Sequence, residues 1–362
     1  MKRVLIIVGT RPNFIKVTQF KRVAEDFDDL EVRIVHTGQH FDKNMSEVFF
    51  TQFGLQPDYF LTIGEGSPNT QMAKIMLGLE DLIQNQYRPD LLVVPGDVNS
   101  TFAAALTANK MGIKLAHLES GLRSFDRDMP EEINRILTDE IADHYFITEQ
   151  SGVDNLKKEE KNGQLHLVGN TMIDTLIAYE DKIEASNIMN ELKLVGSSFA
   201  LMTIHRPSNV DSLEGLQKLY DLILNLSEKY KVVFPIHPRT TARIKDFNLE
   251  EQFNSLQNLI LLGPLGYFEF QKLVKQASFI LTDSGGIQEE STFRRVPCLT
   301  LRENTERPIT VDMGTNTLVS FDVEDLLSYI GKIEDKTYKM GEVPPLWDGD
   351  STRRILEVIS TI

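Results

Sequence analysis

The sequence predicts an α/β fold: two doubly wound domains in tandem along a chain of 362 residues. Three observations predict it. Short apolar runs recur with room for a helix between them, they are continuous rather than alternating, and the series starts again after a polar stretch near mid-chain. Continuous apolar runs mark strands buried on both faces, and such strands belong to parallel sheets covered by helical crossovers.

The first run, residues 4–8 of "MKRVLIIVGT", stops at Gly9 and is too short for the apolar region of a signal peptide, so it reads as a buried strand. Runs at 32–36, 91–95, 114–118, 144–147 and 165–168 continue the series, and 70–82 and 100–111 carry helical spacing between them. No strand is expected over 170–198. A second series follows at 199–204, 232–236, 259–262, 279–282 and 298–301. "GTRPN" after the first strand of one half is echoed by "IHRPSN" after the first strand of the other. The closing "DGDSTRRILEVISTI" predicts an amphipathic helix with an Asp or Ser cap, packing back on the first domain. The domains expected are therefore 1–169, completed by helix 350–362, and 170–349.

Composition narrows the chemistry. With 41% hydrophobic and 25% charged residues the chain reads as globular and soluble. A net charge of −15 argues against a nucleic-acid partner, because strands are bound mainly by neutralising their phosphates. The single cysteine, Cys298, permits no internal disulfide and suits a reducing cytoplasm. No run approaches the roughly 18 apolar residues of a membrane span. The histidines lack metal-ligand spacing, so no structural zinc is expected.

Ligands of open α/β sheets sit at the carboxyl ends of strands, which directs attention to five turns. "VGTRPNFIKV" places Arg11 and Lys16 at and just inside a helix N-terminus that favours an anion; solvated basic residues on a Pro12-initiated helix are the plainer reading. Gly9 is the only glycine there, so the dinucleotide fingerprint is missing and no nicotinamide cofactor is expected. "VVPGDVNST" offers Asp97, either a turn residue or a carboxylate facing a cleft, with Asn99 or Ser100 able to cap the next helix. "AHLESGLRSFDRDMPEEINR" offers Glu119 at a strand end and Glu131 and Glu132 behind Pro130, where Asp128 as cap and acids in the first turn would equally make an ordinary helix start. "TIHRPSN" and "PIHPRT" bring His205 with Arg206 and His237 with Arg239, pairs suited to a phosphate and a mobile proton. "FILTDSGGIQEEST" lacks the elbow that would make Ser284 a nucleophile; its Gly285 and Gly286 let backbone N–H groups approach a diphosphate. Glu290 falls one turn after Gly286 on the same helix face, while Glu289 points about 100° away and reads as solvated or structural.

Together, "GTRPNFIKV", "TGQHFDKNM", "GDVNSTFAAAL", "HLESGLRSFDRDMPEEINR", "VGNTMIDT", "IHRPSNVD", "LTDSGGIQEES" and "ENTERP" resemble the non-hydrolysing UDP-N-acetylglucosamine 2-epimerases, in that family's order, over residues 9 to 307. The resemblance implies two Rossmann-like domains in a glycosyltransferase-B (GT-B) arrangement, substrate in the interdomain cleft, a C-terminal helix returning to the first domain, a cytoplasmic homodimer and no cofactor. It implies interconversion of UDP-GlcNAc and UDP-ManNAc through loss of UDP to a 2-acetamidoglucal and re-addition to the other face.

By the same resemblance Asp97, Glu119 and Glu131 match the family's catalytic carboxylates, which clustering would help to protonate. Arg11, Lys16 and His205 match its diphosphate-handling groups, with His205 hydrogen-bonding or protonating the leaving phosphate. Ser284, Gly285 and Gly286 match the phosphate contacts, Glu290 the ribose contact, and Arg307 a residue facing the ligand; Gln39 and His40 match a segment near the cleft. Where members activated by their own substrate carry a further arginine, this chain has Pro207, so weak or absent activation is expected. The variant pattern also resembles relatives acting on 6-deoxy or 2,3-diacetamido uronic UDP-sugars, and a hydrolysing epimerase releasing ManNAc would share nearly all these motifs. A glycosyltransferase of the same fold would not need the three carboxylates, and a non-catalytic sensor would gain nothing from them.

Overall fold

The apolar runs become parallel strands in a computed structural model that describes residues 1–39, 50–64 and 66–362. In the first sheet β1 (Lys2–Val8), β2 (Leu30–His36), β3 (Tyr59–Phe60), β4 (Leu91–Pro95), β5 (Lys114–Leu118), β6 (His144–Ile147) and β7 (Gln164–Leu167) lie in the order β3-β2-β1-β4-β5-β6-β7. In the second, β8 (Phe199–Thr203), β9 (Lys231–Pro235), β10 (Leu259–Leu262), β11 (Phe279–Thr282), β12 (Cys298–Leu301) and β13 (Asn316–Val319) lie in the order β10-β9-β8-β11-β12-β13. The pairings among described residues are parallel throughout. Two Rossmann-like domains result.

The central strands of both sheets are buried on two faces, which is why their runs are continuous. On β8, Ala200 and Met202 join one apolar cluster with Phe234 and Leu281, while Phe199 and Leu201 join another with Val233 and Ile280. Two strands have no counterpart in the sequence reading. Tyr59–Phe60 is only two residues long, and Asn316–Val319 opens on a polar residue and is half-buried over its middle.

The chain divides into two compact units, Met1–Ala178 with Pro345–Ile362, and Tyr179–Pro344. The first unit thus runs one helix past residue 169. Helix Thr171–Ala178 stays with it because Thr175 donates to the Ile15 carbonyl at 2.6 Å and meets the Thr18 hydroxyl at 2.6 Å. The C-terminal helix Ser351–Thr361 packs on helices Phe20–Ala24 and Thr171–Ala178 of the same unit. Its cap differs from the sequence reading: neither Asp350 nor Ser351 caps it with a side chain, and Asp174 accepts from the N–H groups of Ser351 and Thr352 at 3.2 and 2.6 Å. Burial raises the Asp174 carboxyl above its ordinary value, against the pull of those donors.

In each sheet the connections leave in opposite directions on either side of one strand pair, β1 with β4 in the first unit and β8 with β11 in the second. The carboxyl ends of such a pair are where sheets of this kind bind ligands. Among the described residues no helix is long and apolar enough to cross a membrane.

Candidate functional site

The first unit builds its set around the turns after β1, β4 and β5. A Cβ on Gly9 would collide with the Ser100 hydroxyl, so glycine lets the turn after β1 close on the start of helix Asn99–Lys110. That helix start is satisfied by neither Asn99 nor Ser100. Gln39 Oε1 accepts from the Ser100 N–H at 2.9 Å and its hydroxyl at 2.6 Å. His40 lies outside the described residues.

Arg11 opens a one-turn helix, Arg11–Ile15, with Pro12 behind it. Lys16 departs from the sequence expectation: it stands at that helix's C-terminal end, buried, in an ion pair with the Glu119 carboxylate. Glu119 follows β5 with φ of 72°, a left-handed conformation costing a non-glycine residue roughly 1 kcal/mol or more. Its N–H bonds the Phe146 carbonyl at 2.9 Å. Gly96, φ 65°, faces the pair; a Cβ there would lie 3.0 Å from both Lys16 Nζ and Asn13 Nδ2 and 3.4 Å from Glu119 Oε2.

Asp97 is gripped by two consecutive residues of helix Pro130–Ile141. Asn134 donates to its carbonyl at 2.9 Å, and Arg135 reaches its carboxylate at 2.5 Å. The other arm of Arg135 meets Glu132 at 2.6 Å. Glu132 is buried and accepts from the Ser124 N–H and hydroxyl and from the Phe125 N–H at 2.9, 3.0 and 2.9 Å. Burial alone would raise the Glu132 carboxyl, but these donors and Arg135 hold it below the ordinary range. Glu131 is exposed in the first turn of the same helix, unlike the half-buried Asp97 and the buried Glu119. The helix start is capped by no side chain, Asp128 included.

A buried layer supports these turns. His117 Nδ1 lies 2.6 Å from Asp139 Oδ1, and its Nε2 lies 2.8 Å from the Gly96 carbonyl. Asp139 also pairs with Arg123 at 2.7 Å and accepts from the Gly121 N–H at 3.1 Å. Its burial would raise the carboxyl; His117 and Arg123 lower it.

The second unit builds its set after β8, β11 and β12. Asp283, fully buried, accepts at Oδ2 from the N–H groups of His205 and Arg206 at 2.8 and 2.7 Å and from Asn209 at 3.0 Å. Its Oδ1 faces His205 Nδ1 at 2.9 Å, while the His205 side chain remains 37% exposed. Burial works against the Asp283 charge, but His205 and the backbone donors lower its pKa. The His237 ring lies 5.0 Å from that of His205, and burial together with His205 and Arg239 lowers its pKa.

Helix Gly285–Arg294 starts at this turn, with Ser284 at its N-cap making no side-chain cap bond. Residues 284–286 are half-buried, and the leading N–H groups of a helix have no partner within it. A Cβ on Gly285 would stand 2.7 Å from Arg307 Nη1 and 2.8 Å from Glu306 Oε1, so this glycine also makes room for side chains. Arg307 is buried, 2.8 Å from Glu289 and ion-paired with Glu306, which meets Arg302 at 2.9 Å. Glu289 is therefore not solvated; it is a buried partner of Arg307. Glu290, buried, occupies the same helix.

The sequence reading did not give these carboxylates partners; in the structure each is set against a cation, Lys16 for Glu119 and Arg135 for Asp97. The residues that do the holding, Arg135, Asn134, His117, Asp139 and Asp283, were not singled out by the sequence, although Arg135 follows Glu132 at the i+3 spacing of helix ion pairs and Asp283 sits beside Ser284.

Comparison with known proteins bears on both units. The family model for UDP-N-acetylglucosamine 2-epimerase matches residues 22–360. The chain is 40% identical to a UDP-N-acetylglucosamine 2-epimerase of Methanocaldococcus jannaschii over 98% of both chains, and 38% identical to one of Methanococcus maripaludis over 99% of this chain and 98% of the other. A crystal structure of the Methanocaldococcus jannaschii enzyme in complex with UDP-GlcNAc and UDP superposes with a TM-score of 0.90 at 39% identity, covering 100% of each chain. The chain belongs to the UDP-N-acetylglucosamine 2-epimerase family.

Proposed function

We propose that this chain is a non-hydrolysing UDP-N-acetylglucosamine 2-epimerase, an isomerase interconverting UDP-GlcNAc and UDP-ManNAc. The observation that carries the reading is the division of chemistry between two switch points: carboxylates set against buried cations at one, backbone donors and a half-exposed histidine at the other. The hydrogen on C2 of the sugar is barely acidic, so its removal must be coupled to departure of a good leaving group. As a carboxylate takes the proton, the C2–H electron pair forms the C1=C2 bond and the C1–O pair leaves with UDP. Reversal with the proton delivered to the other face gives the epimer.

In this proposal Asp97, Glu119 and Glu131 handle the C2 proton and the sugar hydroxyls. Lys16 sits against Glu119 and Arg11 opens the adjoining helix, which supports their service to the charge that develops on the diphosphate. His205, backed by Asp283, hydrogen-bonds or protonates the leaving phosphate. Ser284, Gly285 and Gly286 receive the phosphates at a helix N-terminus, Glu290 the ribose, and Arg307 faces the ligand. A homodimer in a reducing cytoplasm completes the proposal; sedimentation of the purified chain at twice its monomer mass is the expected result, and a monomer rejects it.

The test is incubation with UDP-GlcNAc in D2O followed by NMR. Deuterium at C2 with the UDP linkage retained in the epimeric product is expected, and Glu119→Gln should slow it by roughly 10²–10⁴-fold while UDP still binds. Free sugar as the main product rejects the non-hydrolysing reading, and absence of exchange rejects the epimerase.

A further inference from the structure

Arg135 is buried between two carboxylates of different standing. Asp97 is 24% exposed at its side chain and Glu132 1%. Glu132 is saturated by donors from Ser124 and Phe125 as well as by Arg135, so it is fixed as a carboxylate. What it fixes is unusual. Phe125 is 73% exposed and has φ of 60°, a left-handed backbone that a bulky residue adopts only where its surroundings impose it. Asp97 is held from the same helix through its carbonyl by Asn134 and through its carboxylate by Arg135, and the preceding Gly96 carbonyl lies against His117.

We propose that Arg135 is the positioning residue for Asp97, and that Glu132 is its permanent counter-ion. The proposal rests on the epimerase reading, in which Asp97 exchanges protons during turnover. A buried guanidinium paired with Asp97 alone would be stranded each time Asp97 took a proton, and an unpaired buried charge is strongly disfavoured. Sharing Arg135 with Glu132 removes that difficulty. Asp97 can change protonation state while the guanidinium stays compensated and in place. Arg135 acts through Asp97, so its loss should fall on turnover rather than on substrate binding.

The test measures deuterium incorporation at C2 of UDP-GlcNAc under saturating and limiting substrate, for the wild-type chain, Arg135→Met, Arg135→Lys and Glu132→Gln, with near-ultraviolet circular dichroism to score folding. Wild-type exchange tests the epimerase reading, and a wild-type chain that exchanges nothing overturns both. Given wild-type exchange, Arg135→Met should lower kcat roughly 100-fold with KM within about threefold, the signature of a misplaced catalytic group. Arg135→Lys should recover about tenfold of that loss, since it restores charge without the two-armed geometry. Glu132→Gln should lower kcat about tenfold, and it carries the test if Arg135→Met does not fold. Folded Arg135→Met with wild-type kcat, a loss confined to KM, Arg135→Lys no better than Arg135→Met, or folded Glu132→Gln with wild-type kcat overturns the proposal.

Discussion

The two units solve the same problem, presenting charge at the end of a parallel sheet, with different materials. The first unit relies on side chains: Glu119 on Lys16, Asp97 on Arg135, and beneath them His117 and Arg123 on Asp139. The second offers a helix N-terminus and one half-exposed histidine, and spends its buried carboxylates on holding other groups still, Asp283 on the 205–206 backbone and Glu289 on Arg307. Proton transfer needs side chains that change state, so their neighbours must tolerate the change. Holding a diphosphate needs fixed donors, which backbone supplies without reorganisation.

The largest effect should come from the buried layer beneath the first unit's turns. Asp139→Asn removes the charge between His117 and Arg123, and breaking a buried pair of this kind costs about 3 kcal/mol at neutral pH. The Asp139 value in the fold lies below the ordinary 3.8, so as pH falls the unfolded chain takes up the proton first. Stabilisation by this carboxylate is complete above that ordinary value and is lost as pH drops through the folded one. Denaturant titrations should therefore show the gap between wild type and Asp139→Asn narrowing in acid; a gap that stays constant contradicts this account.

Next comes Gly96→Ala, aimed at the Lys16–Glu119 pair. The new Cβ would press on Lys16, Asn13 and Glu119 at a left-handed position that costs alanine about 1 kcal/mol. Displacing the pair should lower turnover roughly 100-fold, far more than the stability loss implies. Steady-state kinetics beside thermal melts separate the two, and near-normal turnover in the variant would show that this pair does not serve the reaction.

Much of this was legible in the sequence and some was not, for physical reasons. Eleven apolar runs became strands, and the central ones are continuous because burial on both faces leaves little room for polar residues. The echo of "GTRPN" in "IHRPSN" falls after β1 and β8, the strands beside each switch point, so a weak signal marked equivalent places. What stayed hidden was partnership. Nothing in "EEINR" says that Glu132 turns inward to Ser124 while Glu131 stays exposed, because both suit a helix's first turn. Nor does "DSGGIQEE" reveal that a segment after β12 brings Arg307 against Glu289. Contacts of that kind depend on the packed tertiary structure rather than on local spacing.

Glu289 supplies the sharpest test of the second unit's division of labour, although the expected effect is the smallest. Helical geometry puts Glu290 on the face of Gly286 and turns Glu289 aside, which from sequence alone makes Glu289 dispensable. In the structure it is buried beside the Arg307 guanidinium, and Gly285 lies against the same guanidinium. Glu289→Gln keeps the volume and weakens one acidic hold on Arg307, while Glu306 keeps another. Losing the carboxylate charge beside the guanidinium should cost about 1.4 kcal/mol, roughly tenfold in the Kd for UDP by calorimetry. C2 exchange at saturating substrate should change far less, since the first unit is untouched. Unchanged UDP affinity in a folded variant would mean that Glu289 serves packing alone, and a fall in saturated exchange with normal affinity would erase the separation between a unit that holds and a unit that reacts.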